Sequence, residues 1–253
     1  MPQQDVPDQP SDKTVFDLHV HTALSACAEN IMSPARIVRR AIEAGLTMLA
    51  ITDHNASANV LPAMRAAGDR LRLLPGMEVC SSEEVHVLAL FEELEPLLDL
   101  QQLVDAALPH LENLAEVFGD QLIYDEADEI IDLDSRLRQV GADLSLERLV
   151  REIHDRRGWV VPAHVFRHRF SLWSQLGAVD AGPGFDLLEI AYPQWVRENY
   201  RLGCRYAGLP VITGSDAHFL EDIGRVINRL PLVDGADGSL ADLVGYLRGM
   251  GVA

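Results

Sequence analysis

Cysteine is scarce in this chain of 253 residues: Cys27, Cys80 and Cys204 are the only three. So few and so widely spaced thiols exclude a disulfide framework and fit a reducing compartment. Basic residues are short as well. Lysine and arginine total 21 against 39 aspartates and glutamates, a formal charge of −18. No basic footprint is visible, so the expectation is that long duplex nucleic acid is not a partner. Apolar runs longer than a strand are missing, which leaves no helical membrane span and no membrane partner. The opening residues, MPQQDVPDQPSDK, lack the apolar core of a secretory signal, so residues 1–14 are expected to be a disordered tail and the location cytoplasmic. Neither a G-x-S-x-G elbow nor a Walker loop is present, so serine-based acyl transfer and P-loop ATP hydrolysis have no support. What remains is 48% hydrophobic and 24% charged, the composition of a globular protein with a sizeable core.

Residues 15–19 read as a buried strand. Ser33-Pro34 then supplies an N-cap and a first-turn proline for a helix over 35–44, which Gly45 ends. A second strand, 48–51, delivers Thr52, Asp53 and His54 at its end. A helix over 61–67 and the segment 71–74 lead into PGMEV, with Glu78 near the end of a third strand, and a fourth over 85–90 carries His86 at its start. Short strand followed by helix is the signature of parallel βαβ units. The pattern predicts mainly helix over 97–118 despite Pro109, then a hairpin over 121–132. This interruption, about 97–145, is read as an insertion: a lid, a subunit contact that would make the protein an oligomer, or a surface flap. Beyond it come a helix over 146–157 capped by Ser145, strands over 159–162, 186–190 and 210–213, a helix over 195–207, a last strand over 225–233 and a helix over 240–248. With no internal repeat or linker, 15–253 reads as a single domain.

His19 and His21, one residue apart in DLHVHT, point to the same side of an extended backbone and offer a cation two fixed donors. Taken alone, such a pair is more often a surface feature. Its company changes the reading. His54, Glu78, His86, His164, Asp216 and His218 also fall at strand ends or starts, so six of the nine histidines do so. In parallel barrels, functional groups from distant segments converge on the C-terminal rim. A carboxylate can bridge two cations while imidazoles fill the remaining positions, and Glu78 is the natural bridge. Asp53 reads as a partner that orients a ligand, or as a turn residue. Glu189 reads as near the site or as structural, and Cys80 as packing.

DLHVHT, ITDHN, GMEV with EVHVLAL, VPAHV and GSDAH, in that order, resemble the motifs of the PHP (polymerase and histidinol phosphatase) family of metal-dependent phosphoesterases, over about Val15 to Ile223. The resemblance implies an α/β fold, a distorted TIM-like (β/α)7 barrel with an inserted hairpin and helical segment. It also implies two or three divalent ions, Zn, Mn or Fe, at the rim. By position, His19, His21, Glu78 and Asp216 would hold one ion, Glu78, His86 and His164 a second, and His54 and His218 a third. Two departures stand out. SACAEN replaces an Asp or His of many relatives, leaving Cys27 as a candidate ligand for Zn or Fe(II), or as a small buried residue. AHVFR replaces AHP, which makes Arg167 a candidate phosphate clamp, or a surface arginine. The expected activity is hydrolysis of a small phosphorylated substrate, namely a phosphomonoester, a nucleotide or the end of a short oligonucleotide, with Asp216 or His218 relaying a proton. The rivals are amidohydrolase-like cleavage of a C–N or C–O bond, and a non-catalytic regulatory module.

Overall fold

Inward and outward side chains alternate along the strands of this chain, and that period of two lays a core on each side of one curled sheet. The computed structural model describes residues 13–180, 182, 184–202, 204–231 and 239–250. Its strands are β1 (Lys13–Val20), β2 (Met48–Ile51), β3 (Arg72–Cys80), β4 (His86–Leu90), β5 (Leu122–Tyr124), β6 (Ile130–Leu133), β7 (Trp159–Pro162), β8 (Leu188–Glu189), β9 (Arg205–Tyr206), β10 (Leu209–Ile212) and β11 (Asn228–Pro231). The helices are α1 (Pro34–Glu43), α2 (Val60–Ala67), α3 (Leu94–Ala107), α4 (Ala115–Phe118), α5 (Leu146–Asp155), α6 (Leu172–Leu176), α7 (Tyr192–Arg197) and α8 (Leu240–Gly249).

Six strands pair in the order β11-β1-β2-β3-β4-β7, and three more in the order β8-β10-β9. Hydrogen bonds between the two sheets close the circuit. Asp186 N donates to Val160 O and Val165 N to Glu189 O, while on the other side His21 N donates to Ala217 O. The result is the distorted α/β barrel that the motifs imply. Phe16, Leu18, Met48, Ala50, Leu74, Leu88, Leu90, Val161 and Ile212 fill its interior, and α8 plugs one end with Leu240, Leu243, Val244 and Leu247. The opposite sides of the same strands, including Leu49, Ile51, Met77 and Val79, pack in an outer layer with Ile37, Val38 and Ala41 of α1.

Above this apolar floor the same alternation delivers polar groups. Along β3, Leu74 and then Glu78 face inward; along β4, Leu90, Leu88 and then His86 do so. β1 needs a correction to its phase, because Phe16 and Leu18 are interior while the two histidines are odd-numbered. An irregularity in its pairing with β2 between Asp17 and Val20 shifts the phase, as a bulge does, and turns His19 and His21 inward.

Three local expectations are corrected. β4 runs antiparallel to both β3 and β7, because the five residues between Cys80 and His86 allow a hairpin but no crossover. The long helix over 97–118 stops at Ala107: Leu108, held extended by the following Pro109, caps it, and the α4 turn stands apart. The helix over 195–207 ends at Arg197. Ala207 and Gly208 both adopt positive φ, forming the two-residue turn that pairs β9 with β10. The inserted hairpin forms as β5 and β6. Asn59 ties it down, donating to Thr22 Oγ1 (2.7 Å) and Leu122 O (3.0 Å) and accepting from Tyr124 N (2.9 Å). Residues 1–12 of the expected tail and 232–233 of the last strand lie outside the described residues. Among the described residues no helix is long and apolar enough to cross a membrane.

Candidate metal centre and its cavity

Glu78 is buried at the end of β3 and faces five imidazoles. Its Oε1 lies 3.3 Å from His19 Nε2, 3.0 Å from His86 Nδ1 and 3.2 Å from His164 Nε2. Its Oε2 lies 2.8 Å from His54 Nδ1 and 3.5 Å from His21 Nε2. Asp216 Oδ1 closes the cage, 3.3 Å from His19 Nε2 and 3.2 Å from His21 Nε2. His218 stacks on His21 with ring centroids 4.3 Å apart, and its Nδ1 donates to Asp216 O at 2.7 Å. His164 and Asp216 reach the cage through backbone in the left-handed region, φ 33° and 50°. That conformation is costly for residues with a Cβ and is typical of functional positions.

For His19 and His21, neighbouring groups set which ring nitrogen faces inward. Glu189 Oε2 accepts from His19 Nδ1 at 2.8 Å. Asp53 takes the Ser25 hydroxyl proton at 2.7 Å, so Ser25 Oγ can only accept from His21 Nδ1, at 2.9 Å. Both Nε2 atoms therefore face each other, 3.1 Å apart, amid carboxylate oxygens. Among the described residues no further side chain comes between them, so these groups need a proton on His19 or a cation, and a cation satisfies every one of them at once. His164 points the same way, since both of its buried ring nitrogens lack a hydrogen-bond partner. Three sets of ligand atoms converge closely enough to share an ion: His19, His21 and Glu78; His54, Glu78 and His86; and His21, His54 and His218.

The local field is steep. Burial disfavours charge on His19, yet the carboxylates of Glu189, Asp216 and Glu78 outweigh it and hold the imidazole well above its usual range. Burial, then the cationic character of His218 and His54, pushes His21 well below. Burial would also raise the Cys27 thiol, but hydrogen bonds to His218 and His54 outweigh it and bring it down to about 6. That is thiolate character at the cavity mouth. By contrast burial, reinforced by the charge of Glu78, pushes Cys80 up to about 12.

Every residue singled out as a ligand thus reaches one rim. Cys27 and Arg167, with His54, His86, Asp216 and His218, line an adjoining cavity of about 490 Å³, where Arg167 Nη2 forms an ion pair with Asp216 Oδ2 at 2.6 Å. Asp53 sits behind the cage, orienting His21 through Ser25. Glu189, left open between two readings, is the orienting partner of His19, and its position inside a strand preceding a motif was the available signal. Ser25, and Phe170, which stacks on His86 at 4.8 Å, carried no sequence signal of their own.

A model of the PHP domain matches residues 17–149, and one described as PHP-associated matches 203–249. The 5'-3' exoribonuclease Rnm of Escherichia coli is 35% identical over 82 residues, which are 30% of this chain and 27% of that protein. The chain therefore spans about a quarter of the length of that relative. The lesion-specific endonuclease PfuEndoQ of Pyrococcus furiosus superposes with a TM-score of 0.62 at 16% identity, over 95% of this chain and 57% of that one. A structure of endonuclease Q with a 27-mer duplex substrate, its abasic lesion at the active site, gives 0.64 over the same shares at 16% identity. These likenesses at low identity show the fold.

They also overturn the expectation of a small substrate with long duplex excluded, because one relative is named for degrading RNA and the same fold holds a 27-mer duplex. The error was physical. A whole-chain charge of −18 describes the average surface, and cations held by a cage of this kind would reverse the sign locally at the rim.

Proposed function

The chain belongs to the PHP domain family, and from that premise we propose that it is a metal-dependent phosphodiesterase acting on nucleic acid. His19, His21, Glu78 and Asp216 would hold one ion, Glu78, His86 and His164 a second, and His54 and His218, with Cys27 beside them, a third. Divalent cations in such a cage lower the pKa of water and offset charge on phosphoryl oxygens. The chain's own residues do the rest. Glu189 and the Asp53–Ser25 pair keep the lone pairs of His19 and His21 turned inward. Arg167, half exposed and ion-paired with Asp216, presents a fork to a phosphate at the cavity lip. His218 lines the same cavity, and because its Nδ1 donates to Asp216 O its Nε2 is the nitrogen that would face the third ion.

One observation carries this reading: a buried carboxylate ringed by five imidazoles beneath an open cavity. The test is to load the protein with Mn, Zn or Fe and assay bis(p-nitrophenyl) phosphate, labelled single-stranded RNA and DNA, an abasic duplex and a set of cyclic amides. Phosphodiester cleavage is expected, and turnover of the amides alone would replace it with the amidohydrolase reading. Glu78→Gln is expected to lose metal content and activity together, the latter by at least ~100-fold. Full activity at normal metal content would remove Glu78 from the mechanism.

A further inference from the structure

Next to the metal cavity lies a second hollow of about 600 Å³, and Arg167 lines both. Phe166, His168, Trp173, Arg197 and Tyr206 are among its other lining residues, and no carboxylate is found among those described. In a chain with 39 acids to 21 bases, a hollow lined by two guanidiniums and no carboxylate departs from the average surface, with Arg167 ion-paired to Asp216 on its metal-cavity side. Among the described residues Arg197 pairs only with its exposed neighbour Glu198, at 3.2 Å, a contact that a phosphate can displace at little cost.

The aromatic groups form a surface of a particular kind. Phe166 and Tyr206 meet edge to face, centroids 5.1 Å apart at 81°, and make a wall. Trp173 is 53% exposed. It is nonetheless anchored: α6 is pinned by a capping box between Ser171 and Ser174 and ends at Gly177 in the left-handed region. Trp173 N also donates to Val165 O at 3.1 Å, beside His164. The backbone that carries the indole is thus tied to the segment that supplies a candidate ligand, and about half of the residue is open to water.

We infer that this hollow is a stacking site for an unpaired nucleobase of a single-stranded nucleic acid whose adjacent phosphate lies at Arg167. Aromatic faces and arginines beside a backbone track are what sequence-tolerant binding of single strands requires, and a base inside a duplex has no free face to offer. The inference rests on the nucleic-acid reading above and narrows its substrate to a strand that is open at the site.

The test compares the metal-loaded protein with Trp173→Ala and Trp173→Phe. The quantity is the ratio of kcat/KM for short oligouridylate, or oligothymidylate, to that for bis(p-nitrophenyl) phosphate, which has no base. Trp173→Ala is expected to lower the ratio roughly ten- to hundredfold through KM, with Trp173→Phe restoring most of it, and the two oligomers tell RNA from DNA. An unchanged ratio, or an equal loss with an oligomer of abasic residues, overturns the stacking site and leaves the phosphodiesterase reading intact. Should the wild type cleave no phosphodiester, that reading fails instead, and polarisation of labelled oligouridylate then decides the hollow: binding roughly ten- to hundredfold weaker in Trp173→Ala supports it, and equal binding overturns it.

Discussion

Glu189 supplies no atom to the face of the cage, yet it decides which nitrogen His19 presents. Replacing it with Gln keeps the shape and removes the charge that holds the Nδ1 proton. Metal affinity is expected to fall by about 10- to 100-fold, measured by competition with a chelator while circular dichroism reports an unchanged fold. Unaltered affinity would mean that packing alone orients the ring. Gly214 belongs to the same arrangement, since a Cβ there would lie 2.8 Å from Glu189 Oε2 and 2.9 Å from His19 Cβ. At this scale the sequence was informative where chemistry announces itself: eight His, Glu and Asp ligand candidates were legible because each falls at a strand terminus. Ser25 was not, because a serine bears no mark of which neighbour it will bridge until the fold brings Asp53 to it.

Among elements, the strands were read more securely than the connections. A period of two is written into each short strand, whereas the direction of β4 depends on how few residues precede it, and the end of α3 on a single proline. The register of β3 against β4, with Cys80 opposite His86, sets His86 diagonally across from Glu78 on one face. The insertion depends on one buried side chain in a comparable way. Asn59→Ala strips partners from Thr22 Oγ1, Leu122 O and Tyr124 N, and unmatched buried polar groups cost about 1–3 kcal/mol each. A loss of at least ~2 kcal/mol is expected from the urea midpoint at constant m; less than ~0.5 kcal/mol would show that the hairpin holds without it.

For the molecule as a whole, the cage concentrates lone pairs and buried carboxylates that a cation alone satisfies together. Binding to the folded state only stabilises it by ~2.7 kcal/mol when free ion is a hundred times Kd. Adding Mn or Zn to chelator-stripped protein is expected to raise Tm by several degrees, and an unmoved Tm would refute the cage. The candidate ligands span His19 to His218, and the seam that brings them together joins residues about two hundred apart, as where Ser215 N donates to Asp17 Oδ1. Contacts of such long sequence separation form late. During synthesis, Asp216 and His218 leave the ribosome after every other ligand, so a nascent chain, or one cut short before them, owns only part of the cage. Uptake of ions by this cage would thus serve as a built-in certificate of completion, since the whole set of candidate ligands comes together only when the last seam of the barrel has been sewn.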